Sequence, residues 1–322
     1  MKIVPLLAVA MVLLVSCAPD GGDQDGFIVR HLSVFEAPGE YCAWPSVART
    51  ADGDILVLYC KSEEHLGPDG AILMSRSTDN GETWLDPVVI YDTPIDDRES
   101  GITTLSDGRL LMHYVSTFHT PEKYDALRPL AYEKPVLERW KEFVLTPEYK
   151  HGESIEGAWC SLSTDGGKTW SRPVPGKDSN HGGIHLQDGR ILIGSYRDTR
   201  DSVAVNIAEE PLSGWETIAT VSPPNPDSLR FGEPSVLQLA SGRVVMMMRA
   251  TTKPYNDGDS RCVLWCTYSD DNGRTWVDPY ETPLWGFPPH LMQLSDGRVL
   301  VSHGHRRPPF GQRVCISEDG VS

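Results

Sequence analysis

The chain is poor in positive charge. It has 29 lysines and arginines against 45 aspartates and glutamates, a net charge of −16. That balance excludes nucleic acid as a partner, because nucleic-acid binding needs a basic surface. A local arginine cluster for a small anion remains compatible with it. Cysteine is also sparse. After Cys17 there are six, at Cys42, Cys60, Cys160, Cys262, Cys266 and Cys315. No Cys-x-x-Cys pair or histidine-rich spacing occurs, so neither a metal nor a cofactor is expected. Cys262 and Cys266 are four apart on an apparent strand, too far to bridge. The apolar run from Ile3 to Val15 is too short to span a bilayer. What the chain has in quantity is turn residues, 29 glycines and 25 prolines. They predict an all-β protein.

The amino terminus stands apart. Lys2 precedes the apolar run, which ends in Leu14-Val15-Ser16-Cys17. This resembles the bacterial lipoprotein signal. The resemblance implies a signal peptide over 1–16, lipid on Cys17, and a flexible polar tether over 17–26. The expected location is the bacterial cell envelope, with the membrane touched only through the lipid.

One octet recurs. Ser77-Thr78-Asp79-Asn80-Gly81-Glu82-Thr83-Trp84 returns as Ser163 to Trp170 and as Ser269 to Trp276. Ser and Asp side chains bond nearby N–H groups and nucleate a tight turn. Glycine takes a left-handed backbone, and Trp offers an anchor to bury against a neighbouring unit. A degenerate copy ends at Trp215, and another begins at Ser317 and stops at Ser322. Five hairpin turns interleave with these boxes, at Gly53, Gly108, Gly189, Gly242 and Gly297, each between apolar runs. One unit is thus hairpin, strand, box, strand, which is a β-propeller blade. Five blades are visible over 27–322, the fifth unfinished. The expectation is a six-bladed propeller truncated at its carboxyl end, with Phe27 to Phe35 available as a closing strand. An insertion over about 117–157 lengthens blade 2 and overhangs one face as a loop or short helices.

In an up-and-down meander the hairpin turns and boxes share one end of each blade. First-strand starts and second-strand ends share the other. Those positions hold Arg98, Glu99, His181, Glu233 and His290, then Arg249, with Asp69 and Arg313 opening third strands. Arginine's fork suits a carboxylate ligand. A structural ion pair between Glu233 and Arg249 is the plainer alternative.

These features resemble the sialidase superfamily, whose Asp boxes are structural. The stretch from Phe231 to Arg249 is similar to that family's segment bearing a catalytic Glu and a clamp arginine. Arg313 resembles a further clamp arginine, and Asp69 the acid/base. The resemblance implies a tyrosine nucleophile polarised by Glu233, placed beyond Ser322, in an exo-acting hydrolase that removes a terminal carboxylate-bearing sugar. The chain departs from the pattern at Ala43, where the family has its first clamp arginine; Arg98 is the available substitute. His181 and His290 point to an alternative, a related hydrolase or lyase on another anionic glycan. A non-catalytic glycan-binding lipoprotein is the third reading.

Overall fold

The computed structural model describes residues 10–12, 31–127, 132–256 and 261–321. The expected signal peptide and tether, Cys17 included, lie outside the described residues except for 10–12. Those three form β1 (Ala10–Val12), which pairs with β2 (His31–Ser33) in a small sheet.

Five antiparallel meanders follow. Blade 1 is β3 (Tyr41–Arg49), β4 (Ile55–Ser62), β5 (Ala71–Ser77) and β6 (Val88–Tyr91). Blade 2 is β7 (Asp96–Thr104), β8 (Leu110–Thr117), β9 (Gly157–Ser163) and β10 (Val174–Pro175). Blade 3 is β11 (Ile184–His185), β12 (Ile191–Ser195), β13 (Val203–Ala208) and β14 (Glu216–Val221). Blade 4 is β15 (Leu229–Gln238), β16 (Val244–Thr252), β17 (Val263–Ser269) and β18 (Tyr280–Trp285). Blade 5 has three strands, β19 (Pro289–Gln293), β20 (Val299–His305) and β21 (Gly311–Ser317). Among the described residues the chain forms two compact units, 33–176 with blades 1 and 2, and 177–321 with blades 3 to 5.

The sixth blade expected from the sequence is not among the described residues. Of the proposed closing strand, residues 27–30 lie outside them. His31–Ser33 has its partner in β1, so β21 is the outer strand of its sheet. A strand edge pairs with whichever edge is brought alongside in register, and for His31–Ser33 that edge is β1.

Second strands carry the core. They lie between two strands of their own sheet and pack against a neighbouring sheet, so β8 and β16 are buried almost end to end. Leu56, Leu58, Ile102 and Met112 fill the space between blades 1 and 2. Leu192, Val205, Phe231 and Met246 do so between blades 3 and 4, and Val245, Leu264, Leu291 and Val301 between blades 4 and 5.

The boxes close their turns by the expected bonds. Ser269 Oγ accepts from the Gly273 N–H at 2.9 Å, and Asp271 accepts from the Thr275 N–H at 2.8 Å and hydroxyl at 2.7 Å. The box tryptophans Trp84, Trp170 and Trp276 are half-buried and pack at the edges of core clusters, Trp170 against the one between blades 1 and 2 and Trp276 against the one between blades 3 and 4. Glycine makes a second, close approach to the preceding blade. A Cβ on Gly273 would stand 2.5 Å from Leu192 Cδ1, and one on Gly167 2.8 Å from Leu56 Cδ1. Polar links join the same surfaces, from Arg76 to the Gly166 carbonyl at 2.6 Å and from Asn272 to Asp188 at 2.9 Å. The box is therefore a clasp between blades, and its glycine is there because the neighbour's leucine leaves no space for a side chain.

Between β8 and β9 the insertion forms α1 (Pro121–Leu127), α2 (Lys134–Phe143), α3 (Pro147–His151) and a 3-10 turn (Gly152–Ile155). Thr146 caps α3 by accepting from the Tyr149 N–H at 3.3 Å. Tyr124, Leu137, Trp140 and Tyr149 bury a satellite core with Ile95.

Candidate functional site

Three first strands break their pairing at one place. The register shifts at Ala43/Ser46, Arg98/Gly101 and Gly232/Ser235. Inside each shift is a non-glycine residue in the left-handed region: Trp44 (φ 53°), Glu99 (φ 54°) and Glu233 (φ 45°). Each lies nine residues ahead of its hairpin glycine, Gly53, Gly108 or Gly242. Such a backbone costs about 1–2 kcal/mol, and strain of this sort clusters where a side chain must be aimed.

In the unit of blades 3 to 5, the bulge at Glu233 meets the end of β16. Arg249 Nη1 donates to both Glu233 oxygens at 3.0 Å, and Nη2 donates to the Tyr255 hydroxyl at 3.3 Å. The guanidinium lies 4.0 Å from the centre of the Phe287 ring, where a desolvated cation is well held. Both charged side chains are mostly buried, at 12% and 16% exposure. Glu233 and Arg249 are thus an ion pair, the plainer alternative the sequence allowed, yet one whose arginine still faces an exposed tyrosine. Arg313 does not join them. Its guanidinium donates to the carbonyls of Gln312 and Pro309 in its own loop, both at 3.1 Å.

His181 and His290 come together, with ring centres 5.3 Å apart. Burial lowers the pKa of His181 to about 3, with His290 adding to the effect, and burial lowers His290 as well. Both imidazoles are therefore neutral at physiological pH. Beside them is Asn180, buried, and nine residues ahead of Gly189 as Glu233 is ahead of Gly242.

In the unit of blades 1 and 2, Asp69 lines a groove of about 660 Å³ with Lys61, Glu63, Asp92, Arg139 and Trp140. Desolvation raises its carboxyl pKa first, and Asp92 and Asp96 raise it further. The overhanging helix closes one side, as Trp140 Nε1 donates to Glu63 at 2.9 Å. Arg98 is buried in the same unit. It donates to Asp96 at 2.9 Å and to the His65 carbonyl at 2.9 Å, and it stacks 4.3 Å over Trp44. Asp96 also accepts from His119 Nε2 at 3.0 Å, while Lys123 donates to His119 Nδ1 at 2.5 Å. Because an ammonium only donates, His119 carries its proton on Nε2. Burial, the first cause, lowers its pKa and keeps it neutral. Arg98 is thereby fixed as part of a buried chain from Lys123 to Trp44.

Among the described residues, no group of three or more His, Cys, Asp or Glu has the geometry to hold a metal ion. The six described cysteines are thiols. Sequence reasoning missed Tyr255, Asn180, Asp96 and His119. Tyr255 lies six residues past Arg249, in the loop between second and third strands, which overhangs the same end of the blade. Asn180 was one residue from a histidine already singled out, and its place ahead of Gly189 would have found it. Nothing local marks His119, whose partner is twenty-three residues away.

Known proteins match this architecture. A curated sialidase from Micromonospora viridifaciens is 24% identical over 279 residues, covering 86% of this chain. The chain spans about a third of that relative's length, 34%. A solved structure from Dyadobacter fermentans, described as of unknown function, superposes with a TM-score of 0.70 at 21% identity, covering 90% of this chain and 82% of the other. The NanB sialidase from Streptococcus pneumoniae, as a K499G mutant, gives a TM-score of 0.60 at 12% identity, covering 88% and 60%. Identities this low establish the sialidase-like propeller fold and distant kinship, and the fold is silent on the reaction. A family model described as the BNR repeat-like domain matches residues 122–322. That match covers more than half of the chain, which belongs to the BNR repeat-like domain family.

Proposed function

We propose that this protein is an exo-acting glycoside hydrolase that removes a terminal carboxylate-bearing, sialic-acid-like sugar from glycans. The observation that carries the reading is the Arg249 guanidinium, held in place by Glu233 from a strained bulge and still facing Tyr255. Arginine pre-oriented by a buried carboxylate binds a planar anion without losing rotamer entropy on binding. In this reading Arg249 and Tyr255 take the substrate carboxylate, and Glu233 holds the arginine while its negative charge stabilises the positive charge that develops on the sugar as the glycosidic bond breaks. Asp69, whose carboxyl pKa is raised by desolvation and by Asp92 and Asp96, is the proposed acid/base. Arg313 enters only if substrate draws it from its own loop, and Arg98 is assigned no contact.

The test is hydrolysis of a fluorogenic sialoside and a fluorogenic glucuronide. Glu233→Gln and Arg249→Ala should each lower kcat/KM at least about 100-fold with the melting temperature retained. Asp69→Asn should lower kcat and remove the upper limb of the pH profile. Full activity in Glu233→Gln would refute the reading.

A second reading, a hydrolase or lyase on another anionic glycan, is favoured by one observation: two neutral imidazoles in contact, a form suited to proton abstraction. It predicts turnover of the glucuronide rather than the sialoside, lost in His181→Gln. The lipid on Cys17 is likewise a proposal. It is checked by metabolic labelling with a fatty acid, which Cys17→Ala should abolish.

A further inference from the structure

We infer that Asn180, with His181 and His290, forms a subsite for the hydroxyl groups of the same sugar whose carboxylate Arg249 takes. This rests on the reading of Glu233 and Arg249 given above.

Three observations converge. Asn180 is more than nine-tenths buried, at 6% exposure, yet neither its Oδ1 nor its Nδ2 has a partner among the described residues. A buried amide in that state is rare and calls for a reason. His181 Nε2, the next side chain along, is also buried without a partner among them, and its ring touches His290. Nor is the loop free to relax and satisfy these atoms. Ser179 Oγ donates to the Gly182 carbonyl at 2.9 Å and accepts from the His181 N–H at 3.4 Å. Asp178 accepts from the Tyr196 N–H at 3.1 Å.

Placement ties these groups to Glu233. Asn180 has in blade 3 the position that Glu233 has in blade 4, nine residues before the hairpin glycine. The blades meet at that level. Tyr196 Cδ2 lies 3.4 Å from where a Cβ on Gly232 would be, and Pro234 lies 2.7 Å from where one on Gly194 would be. A side chain at Gly194 would push the two strands apart, whereas a Cβ at Gly232 would sit in ordinary contact with Tyr196.

The chemistry of the set is uncharged. The amide offers two donor protons and an acceptor, and each neutral imidazole offers one donor and one acceptor. Such groups match hydroxyls, which both give and accept, and they leave an anion to the arginine. The ligand class that satisfies both is a polyhydroxylated sugar acid, carboxylate at Arg249 and hydroxyls at Asn180. Sites that bond hydroxyls in buried surroundings reject analogues lacking them strongly.

Titration calorimetry tests this without requiring turnover. The probes are free N-acetylneuraminic acid, D-glucuronic acid and, as a carboxylate without hydroxyls, cyclohexanecarboxylate. Asn180→Ala should weaken the better-bound sugar acid about tenfold, the effect of one or two hydrogen bonds. It should leave cyclohexanecarboxylate unchanged. If Asn180→Ala does not fold, the wild-type protein supplies the readout. The ¹⁵N resonance of His181 Nε2, identified by its loss in His181→Gln, should shift with the sugar acid and not with cyclohexanecarboxylate. Equal sugar-acid affinity in Asn180→Ala, equal weakening of all three probes, no His181 shift, or no binding of either sugar acid by the wild type would overturn the inference. Its failure is separable from that of the catalytic reading. Lost turnover in Glu233→Gln with normal sugar binding in Asn180→Ala removes only the subsite. Weakened sugar binding in Asn180→Ala with full turnover in Glu233→Gln removes only the catalytic assignment.

Discussion

Asp97 makes the stability of blade 2 depend on pH in an unusual direction. Its side chain is fully buried in β7, accepting from Ser116 Oγ at 2.5 Å and from the Thr93 N–H at 2.6 Å. Burial raises its pKa from 3.8 to about 7, outweighing the two hydrogen bonds, with Asp96 adding to the rise. The folded chain therefore holds this proton more tightly than the unfolded chain does. The stability it contributes is fully present below about pH 4 and is lost as pH rises through about 7. A thousandfold difference in proton affinity corresponds to about 4 kcal/mol, at about 1.4 kcal/mol per tenfold. Asn at this position cannot ionise. Its amide donates to Ser116 Oγ and its carbonyl accepts from Thr93, so both bonds survive. Urea denaturation of the wild type and of Asp97→Asn, side by side between about pH 4 and pH 8, isolates the effect from all other titrating groups. The two proteins should match near pH 4, and the variant should lead by about 2–4 kcal/mol near pH 8. A difference that is constant across the range, or that favours the wild type at high pH, would refute the assignment of a buried, protonated Asp97.

Three further outcomes follow from packing and charge. Gly273→Ala forces a Cβ against Leu192 at a φ of 85°, so thermal or chemical denaturation should show a loss of about 2–4 kcal/mol; the same change at Gly189, where nothing lies within 4 Å, should show the backbone part alone, and equal losses would contradict the clasp. Ser235 Oγ accepts from the Leu291 N–H of the next blade at 3.0 Å, as Ser46 does from Ile102 at 3.1 Å. Ser235→Ala should cost about 1–3 kcal/mol in denaturation, and a neutral result would mean that N–H finds another partner. Lys123→Met should raise the pKa of His119, since the ammonium beside it is one of the charges holding it down; an unmoved NMR titration curve would break the chain from Lys123 to Asp96.

What the residues reveal on their own depends on how local the physics is. The boxes and hairpin turns are legible because each is closed by atoms within a few positions, as Ser269 and Asp271 are with Gly273 and Thr275. Five blades follow from counting them. The role of the box was less legible. Its tryptophan is legible as an anchor because it is large, and Trp276 does pack between blades 3 and 4; the close approach of Gly273 to Leu192, a residue of another blade, is not legible.

The site divides along the same line. Glu233 and Arg249 could be paired from sequence because the meander puts a first-strand start beside a second-strand end, and β15 and β16 do place Gly232 opposite Arg249. The left-handed bulge sharpens that rule, since one count back from the hairpin glycine finds Trp44, Glu99, Asn180 and Glu233. Arg313 opens a third strand at the same end of its blade, yet it bonds Pro309 and Gln312. A strand register fixes where a Cα stands, whereas a long side chain goes where unsatisfied acceptors are nearest. In that loop they are its own carbonyls. His119 shows the remaining limit. Its pKa is set first by burial against an insertion whose helices appear in sequence only as scattered prolines and charges. The residues most readable from spacing are thus the ones that position the site. Residues whose proton affinity is moved far, such as His181 and Asp97, take that property from neighbours no spacing rule identifies.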